Sequence, residues 1–206
     1  METPHTLTRP EVQALLAWLE AHKPKYGGMR AKWRNHGLIV FMLETGLRVG
    51  ELVQLRLSDV WFCDQPVRTL IVREEVAKLH VARGIPVSGS LRREIILLTM
   101  ECWGTILFDP AAPIWTRCRR AQPLTTRSVE AIVRRAGLAA LGRPVNPHML
   151  RHTFASEMMR VTNARIVQDL LGHADLRSTQ IYTHPNGDDL ADAIAARDAR
   201  AKETQS

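Results

Sequence analysis

The stretch from Asn146 to His184 constrains this 206-residue chain more than any other. Asn146 is a good helix N-cap, and Pro147 suits the first helical position, where its missing N–H costs nothing. The run Pro147-His148-Met149-Leu150-Arg151-His152-Thr153-Phe154-Ala155 then reads as helix. Spaced three apart, His148 and Arg151 share one face of it. A second helix, about Asn163 to Leu171, is stopped by Gly172, a residue suited to the left-handed position after a helix. His173 falls just past that end. Tyr182 lies nine residues further on, within Thr179-Gln180-Ile181-Tyr182-Thr183-His184, in a segment that reads as a short helix from about Asp175. Arginine offers a planar fork of donors that fits phosphate bidentately. Histidine moves a proton near neutral pH. Two imidazoles, a guanidinium and a phenol at these spacings are the groups that hold a phosphodiester and attack it without a metal.

The rest of the chain surrounds this stretch with short helices. Thr8-Arg9-Pro10-Glu11 reads as a capping box, and Val12, Leu15, Leu16 and Leu19 follow on one face. His22 to Met29 reads as a loop whose Tyr26, the other of the two tyrosines, has no His or Arg constellation around it. A helix from Lys32 to Glu44 ends at Gly46. Arg48 then opens a third helix, Val49 to Leu55, with Glu51 on the same face. Val60–Cys63, Thr69–Arg73 and Arg83–Val87 have β character and predict one small antiparallel sheet, with Lys78 in the turn between the last two strands. Ser88 or Ser90 caps a helix to about Cys102, and Gly104 to Gln122 is an irregular crossing. Thr125 or Thr126 caps a helix to about Leu141. The stretch Asp188 to Lys202 is an Ala-rich helical tail with only Leu190 and Ile194 as large apolar residues. The expectation is a single domain over 1–206, mainly α with a small antiparallel β-sheet (α+β), its tail at about 187–206.

Charge narrows the partner. The chain carries 28 Lys and Arg against 21 Asp and Glu, a net charge of +7. The window from Arg117 to Arg151 holds eight arginines (117, 119, 120, 127, 134, 135, 143 and 151), no lysine and one acid, Glu130. It nets as much as the whole chain, and an arginine-only run favours phosphate contacts. No apolar run approaches the ~18–20 residues that span a bilayer. The N-terminus lacks the basic start and apolar run of a signal peptide. Three cysteines without metal-ligand spacing suit a reduced, cytoplasmic setting. A metal-dependent nuclease finds no support, because Asp and Glu are not clustered near the histidines.

The stretch from Asn146 to His184 resembles the C-terminal motif of the tyrosine recombinases, the phage-integrase family. Thr45-Gly46-Leu47-Arg48-Val49-Gly50-Glu51-Leu52 is similar to that family's first-arginine motif. The resemblance runs from about Leu7 to His184 and implies the fold of the family's catalytic domain. It implies that Arg48 and Arg151 bind the non-bridging oxygens of a DNA phosphate, with Glu51 buttressing Arg48 and His173 adding a donor. Tyr182 would attack, leaving a 3′-phosphotyrosyl link, while His148 takes the phenolic proton. Lys78 would protonate the departing 5′ oxygen. Lys78 stands eight residues before Pro86, as in the family, but Ala77 replaces the usual glycine beside it, and Arg73, His80 and Arg83 compete for the role. The implied partners are double-stranded DNA with inverted-repeat sites and further copies of the chain, dimer to tetramer, assembled on that DNA. No metal or cofactor is implied. With 47 residues before Arg48, the separate N-terminal core-binding domain common in the family is not expected. A non-cutting DNA-binding regulator and a topoisomerase of the same chemistry are the alternative readings.

Overall fold

The structure, a computed structural model, describes residues 6–77, 81–118 and 122–172. Its first helix forms for the reason the sequence states. Thr8 N–H donates to the Glu11 carboxylate at 2.8 Å and Glu11 N–H donates back to Thr8 Oγ1 at 3.4 Å, opening α1 (Arg9–Ala21). The long α2 (Gly28–Thr45) begins four residues before the expected Lys32. Gly27 takes a left-handed φ of 91°, and a Cβ there would stand 2.6 Å from that of Ala31, so glycine lets the loop turn directly into the helix. Leu38 to Met42 are all buried, which makes α2 the central helix, packed on α1 and on the helices that follow.

Between Gly46 and Ser88 the expected pattern is broken into smaller pieces. One turn, α3 (Val49–Leu52), replaces the helix expected to reach Leu55, and a second turn, α4 (Leu57–Val60), follows at once. The Asp59 carboxylate starts α4 by accepting the Arg56 N–H at 2.8 Å. The single three-stranded sheet is a correction. Cys63 and Asp64 adopt φ of 48° and 56°, the tight primed-turn geometry, so β1 (Trp61–Phe62) folds straight back on β2 (Gln65–Pro66). β3 (Thr69–Val72) and β4 (Arg83–Pro86) make a separate antiparallel pair, with Leu70 opposite Ile85 and Val72 opposite Arg83. Both hairpins are antiparallel and small, and the other regular elements among the described residues are helices, as expected.

Ser88 caps α5 (Gly89–Leu98) by accepting the Leu91 N–H at 3.0 Å, and a π-helical turn, Thr99–Trp103, continues it. The irregular crossing then runs beside α4, whose first amides donate to the Ala112 and Pro110 carbonyls at 3.0 Å. Its Trp115 is fully buried edge-to-face against Phe41 and Trp103, with ring centroids 5.1 and 5.9 Å away. α6 (Thr126–Leu141) is capped by Thr125, α7 (Pro147–Val161) by Asn146 and α8 (Ala164–Leu171) by Asn163. Leu7 N–H donates to Thr153 Oγ1 at 2.9 Å, pinning the start of the chain to α7. Among the described residues no helix is long and apolar enough to cross a membrane. The helix expected from Asp175 and the tail at 187–206 lie outside the described residues.

Trp115 joins the crossing segment to the central helix, so its truncation tests this packing. Trp115→Ala is expected to cost ~3–5 kcal/mol in urea unfolding. A loss under ~1 kcal/mol would mean that the aromatic cluster does not hold the core.

Candidate active site

Two left-handed glycines bring the candidate residues together. Gly46 ends α2 with φ 61° and Gly172 ends α8 with φ 62°. A Cβ on Gly46 would run into the Phe154 ring and Leu171, and one on Gly172 would stand 3.0–3.2 Å from the Arg83 side chain. Small, left-handed residues therefore let the two helix ends meet. α7 supplies the group between them. Arg151, 5% exposed, donates Nη1 to the Gly46 carbonyl and Nη2 to the Leu171 carbonyl at 2.8 Å. Arg48, at the start of α3, donates Nη1 to the same Leu171 carbonyl at 3.5 Å and Nη2 to the Gly172 carbonyl at 3.3 Å. The two guanidiniums assigned to one phosphate thus converge on one carbonyl. The C-terminal carbonyls of a helix carry partial negative charge, which draws cations to the end of α8.

Glu51 stands behind Arg48, as expected, and is 2% exposed. Its carboxylate accepts the Arg48 backbone N–H at 2.8 Å and Arg48 Nη1 at 3.1 Å. It also accepts Arg83 Nη1 at 2.9 Å and Arg83 Nη2 at 2.7 Å, while Arg83 Nε donates to the Leu170 carbonyl at 2.9 Å. Burial pushes the Glu51 carboxyl up. The hydrogen bonds and charge of Arg83, followed by the backbone bond and charge of Arg48, outweigh burial and hold it below the ordinary 4.5. Arg83 was expected only as a competitor of Lys78. The signal that it belongs to Glu51 was available in principle, because a buried carboxylate needs more donors than one arginine three residues away provides. Arg73, another competitor, is tied to Asp59, Glu75 and the Gln54 carbonyl.

His148 is exposed, one turn before Arg151 on α7. One turn after it comes His152, which the sequence reading did not single out. Burial first, then the nearby charges of His148 and Arg151, push the His152 imidazole below its ordinary 6.5, so it is neutral at pH 7. Two histidines four apart on one helix were the visible sign.

The arginine window divides. Arg117, Arg127, Arg134 and Arg135 are exposed, and Arg127 and Arg134 share a face of α6 opposite its buried Val129 and Val133. Arg143 instead donates Nε and Nη2 to Glu11 at 3.0 and 2.7 Å, bracing α1 against the turn between α6 and α7. Lys78, Arg119, Arg120, His173 and Tyr182 lie outside the described residues.

A model of the phage integrase family matches residues 5–188. The tyrosine recombinase XerC of Stutzerimonas stutzeri (strain A1501) is 36% identical over 175 residues, which cover 84% of this chain and 55% of that protein. The chain thus spans about half the length of the curated relatives it matches. Among solved structures, the XerA recombinase superposes with a TM-score of 0.71 at 25% identity, over 95% of this chain and 66% of its own. The XerH site-specific recombinase, bound to palindromic difH substrate in a post-cleavage complex, superposes with a TM-score of 0.74 at 22% identity, over 94% of this chain and 53% of its own. These likenesses place the described helices and hairpins in the fold of a tyrosine recombinase catalytic domain.

The Glu51 cluster generates a pH test. A carboxyl whose folded value is depressed contributes stability that is fully present above its unfolded value and is lost as pH falls through the folded value. Glu51→Gln is expected to cost ~3–5 kcal/mol at pH 7, because it leaves buried guanidiniums unpaired. The gap between wild type and variant should narrow as pH falls below 4.5. Urea unfolding at stepped pH reads this directly, and a gap constant down to acid pH would show that Glu51 is not an ionised buried partner.

Proposed function

Because the chain belongs to the phage integrase family, the tyrosine recombinases, we propose that it is a DNA strand transferase that cuts and rejoins duplex DNA at specific sites through a 3′-phosphotyrosyl intermediate. The observation that carries the reading is the meeting of Arg48 and Arg151 at the Leu171 carbonyl, directly before Gly172-His173 in the chain.

The chemistry follows from the groups. A tyrosine phenol has a pKa near ~10 and is a weak nucleophile at neutral pH. It needs the phosphate's charge neutralised and a proton acceptor at hand. Arg48 and Arg151 take the two non-bridging oxygens, and His173 adds a donor. Tyr182 attacks in line, forming the Oη–P bond as the bond from phosphorus to the 5′ oxygen breaks. His148 takes the phenolic proton, and Lys78 protonates the departing 5′ oxygen. The guanidinium pair supplies the charge compensation that a divalent cation gives in other phosphoryl transfers. The phosphotyrosyl link conserves the energy of the broken bond, so a second 5′ hydroxyl religates without ATP. Religation to another duplex yields integration, excision, inversion or resolution.

The proposed partner is double-stranded DNA carrying inverted-repeat sites, on which copies of the chain assemble from dimer to tetramer. The palindromic substrate bound by XerH supports that class of site. The chain is read as one catalytic domain over 1–206 with a tail at about 187–206, working beside chromosomal DNA in the cytoplasm. Arg117, Arg119, Arg120, Arg127, Arg134 and Arg135 are the proposed backbone contacts, with Arg143 acting through its brace on Glu11.

Two experiments test this reading. On a nicked duplex that traps the intermediate, wild type should form a protein–DNA adduct that survives a denaturing gel. Tyr182→Phe should bind DNA and form none, while Tyr26→Phe should form it normally. An adduct from Tyr182→Phe, or its loss in Tyr26→Phe, would overturn the assignment. In the second, log affinity against log salt should fall with a slope near ~0.9 per phosphate neutralised. Arg134→Ala with Arg135→Ala should make that slope shallower by ~1–2. An unchanged slope would put those arginines on a solvent face.

A further inference from the structure

We propose that Arg83 is a positioning residue for the phosphate-binding arginines, holding Arg48 through Glu51 and holding the end of α8 through the Leu170 carbonyl. The proposal rests on the strand-transfer reading above and adds to it a residue outside the six groups assigned to the chemistry.

The geometry of Arg83 is fully committed. Its side chain is 8% exposed. Nη1 and Nη2 lie at 2.9 and 2.7 Å from the two oxygens of Glu51, the parallel fork that matches guanidinium to carboxylate. Nε lies 2.9 Å from the Leu170 carbonyl. Glu51 Oε1 is shared between Arg83 and Arg48 Nη1, so the orientation of the carboxylate sets where the Arg48 guanidinium lies. Arg83 therefore acts on Arg48 at one remove. It acts on Arg151 by a separate route, through the end of α8. The carbonyl next to Leu170 is that of Leu171, where Arg48 and Arg151 meet, and Gly172-His173 follows.

Two further observations fit this role. A Cβ on Gly172 would stand 3.0 Å from Arg83 Nη1, 3.1 Å from Cδ and 3.2 Å from Cζ, so glycine at that position leaves the space the guanidinium fills. Arg83 is also the first residue of β4, and the segment joining β3 to β4 contains Lys78. One side chain thus ties the hairpin that carries the proposed leaving-group acid to Glu51 of α3 and to the end of α8, where Arg48 and Arg151 meet. With its donors engaged and its guanidinium buried, Arg83 is not placed to protonate a leaving oxygen. Lysine at this position would offer a point charge that cannot span both carboxylate oxygens and the carbonyl.

The test compares two nicked duplexes, one with an ordinary scissile phosphodiester and one with a 5′-bridging phosphorothiolate. In the second, the Tyr182 Oη–P bond forms as the P–S bond breaks, and sulfur leaves as a thiolate that needs no proton. Arg83→Lys should bind DNA within ~2-fold of wild type, and its adduct rate should fall ~10–100-fold, the scale of a small misplacement of a reacting group. The fall should be the same on both duplexes, whereas Lys78→Ala should recover on the phosphorothiolate. Arg83→Lys combined with Glu51→Gln should be slower than Glu51→Gln alone by less than the full Arg83→Lys factor, since the two share the route through Glu51 and only the route through α8 is added. A wild-type rate in Arg83→Lys, recovery of Arg83→Lys on the phosphorothiolate, or losses that multiply in the double variant would each overturn the proposal. Should Arg83→Lys melt below the assay temperature, Arg83→Gln is read by the same outcomes. A wild-type chain that forms no adduct on either duplex defeats the strand-transfer reading and the proposal together. A wild-type adduct beside an unimpaired Arg83→Lys defeats the proposal alone.

Discussion

The site depends on one buried carboxylate. Glu51 is 2% exposed and accepts four hydrogen bonds, two from Arg48 and two from Arg83. A charge so far from water is tolerated only when it is paired and fully hydrogen-bonded. That requirement fixes what surrounds it. The Arg48 N–H, the Arg48 guanidinium and the Arg83 guanidinium must all point at the same two oxygens. The fragment from Gly46 to Leu52 and the first residue of β4 are held in register by this demand, and the end of α8 follows because Arg83 also binds Leu170.

The second constraint is the crowding of like charges. Arg48, Arg83 and Arg151 crowd into one place, and Glu51 is ion-paired with the first two. The carbonyls of Leu170, Leu171 and Gly172 accept donors from all three, and their partial negative charge belongs to the end of α8. Three guanidiniums gathered at one helix end suit the reception of an anion. The Arg48 and Arg151 guanidiniums are held by fixed partners, which in the proposed reaction would leave little reorganisation on phosphate binding. The His152 imidazole, pushed below its ordinary value chiefly by burial, adds little positive charge beside Arg151.

Much of this was legible because it is local. The Thr8–Glu11 box, the Asn146-Pro147 start of α7 and the left-handed Gly46 and Gly172 each depend on residues within one helical turn. Arg48 and Glu51 are three apart, and their bond was expected for that reason. The Arg83–Glu51 fork joins residues 32 apart, and Arg143 reaches Glu11 across 132. No periodicity reports such pairings. Composition placed Arg143 among the phosphate contacts, whereas its geometry ties it to α1. Strand pairing misled for a related reason. Three β-rich runs suggest one sheet, but the sharp turn at Cys63-Asp64 gives the first run its own partner and leaves the others to pair alone. Lys78, His173 and Tyr182 were assigned by motif spacing, and their assignment still rests on it.

In the proposed reaction Arg48 and Arg151 act as preorganised bidentate ligands of the phosphate rather than as general positive charge. Single-turnover adduct formation on a nicked duplex, measured for Arg48→Lys and Arg151→Lys at saturating protein, separates the two. Each variant is expected to bind DNA nearly as wild type does and to form the adduct at least ~100-fold more slowly, the scale of losing one preorganised donor to a developing charge. Adduct formation by both variants at close to the wild-type rate would contradict it.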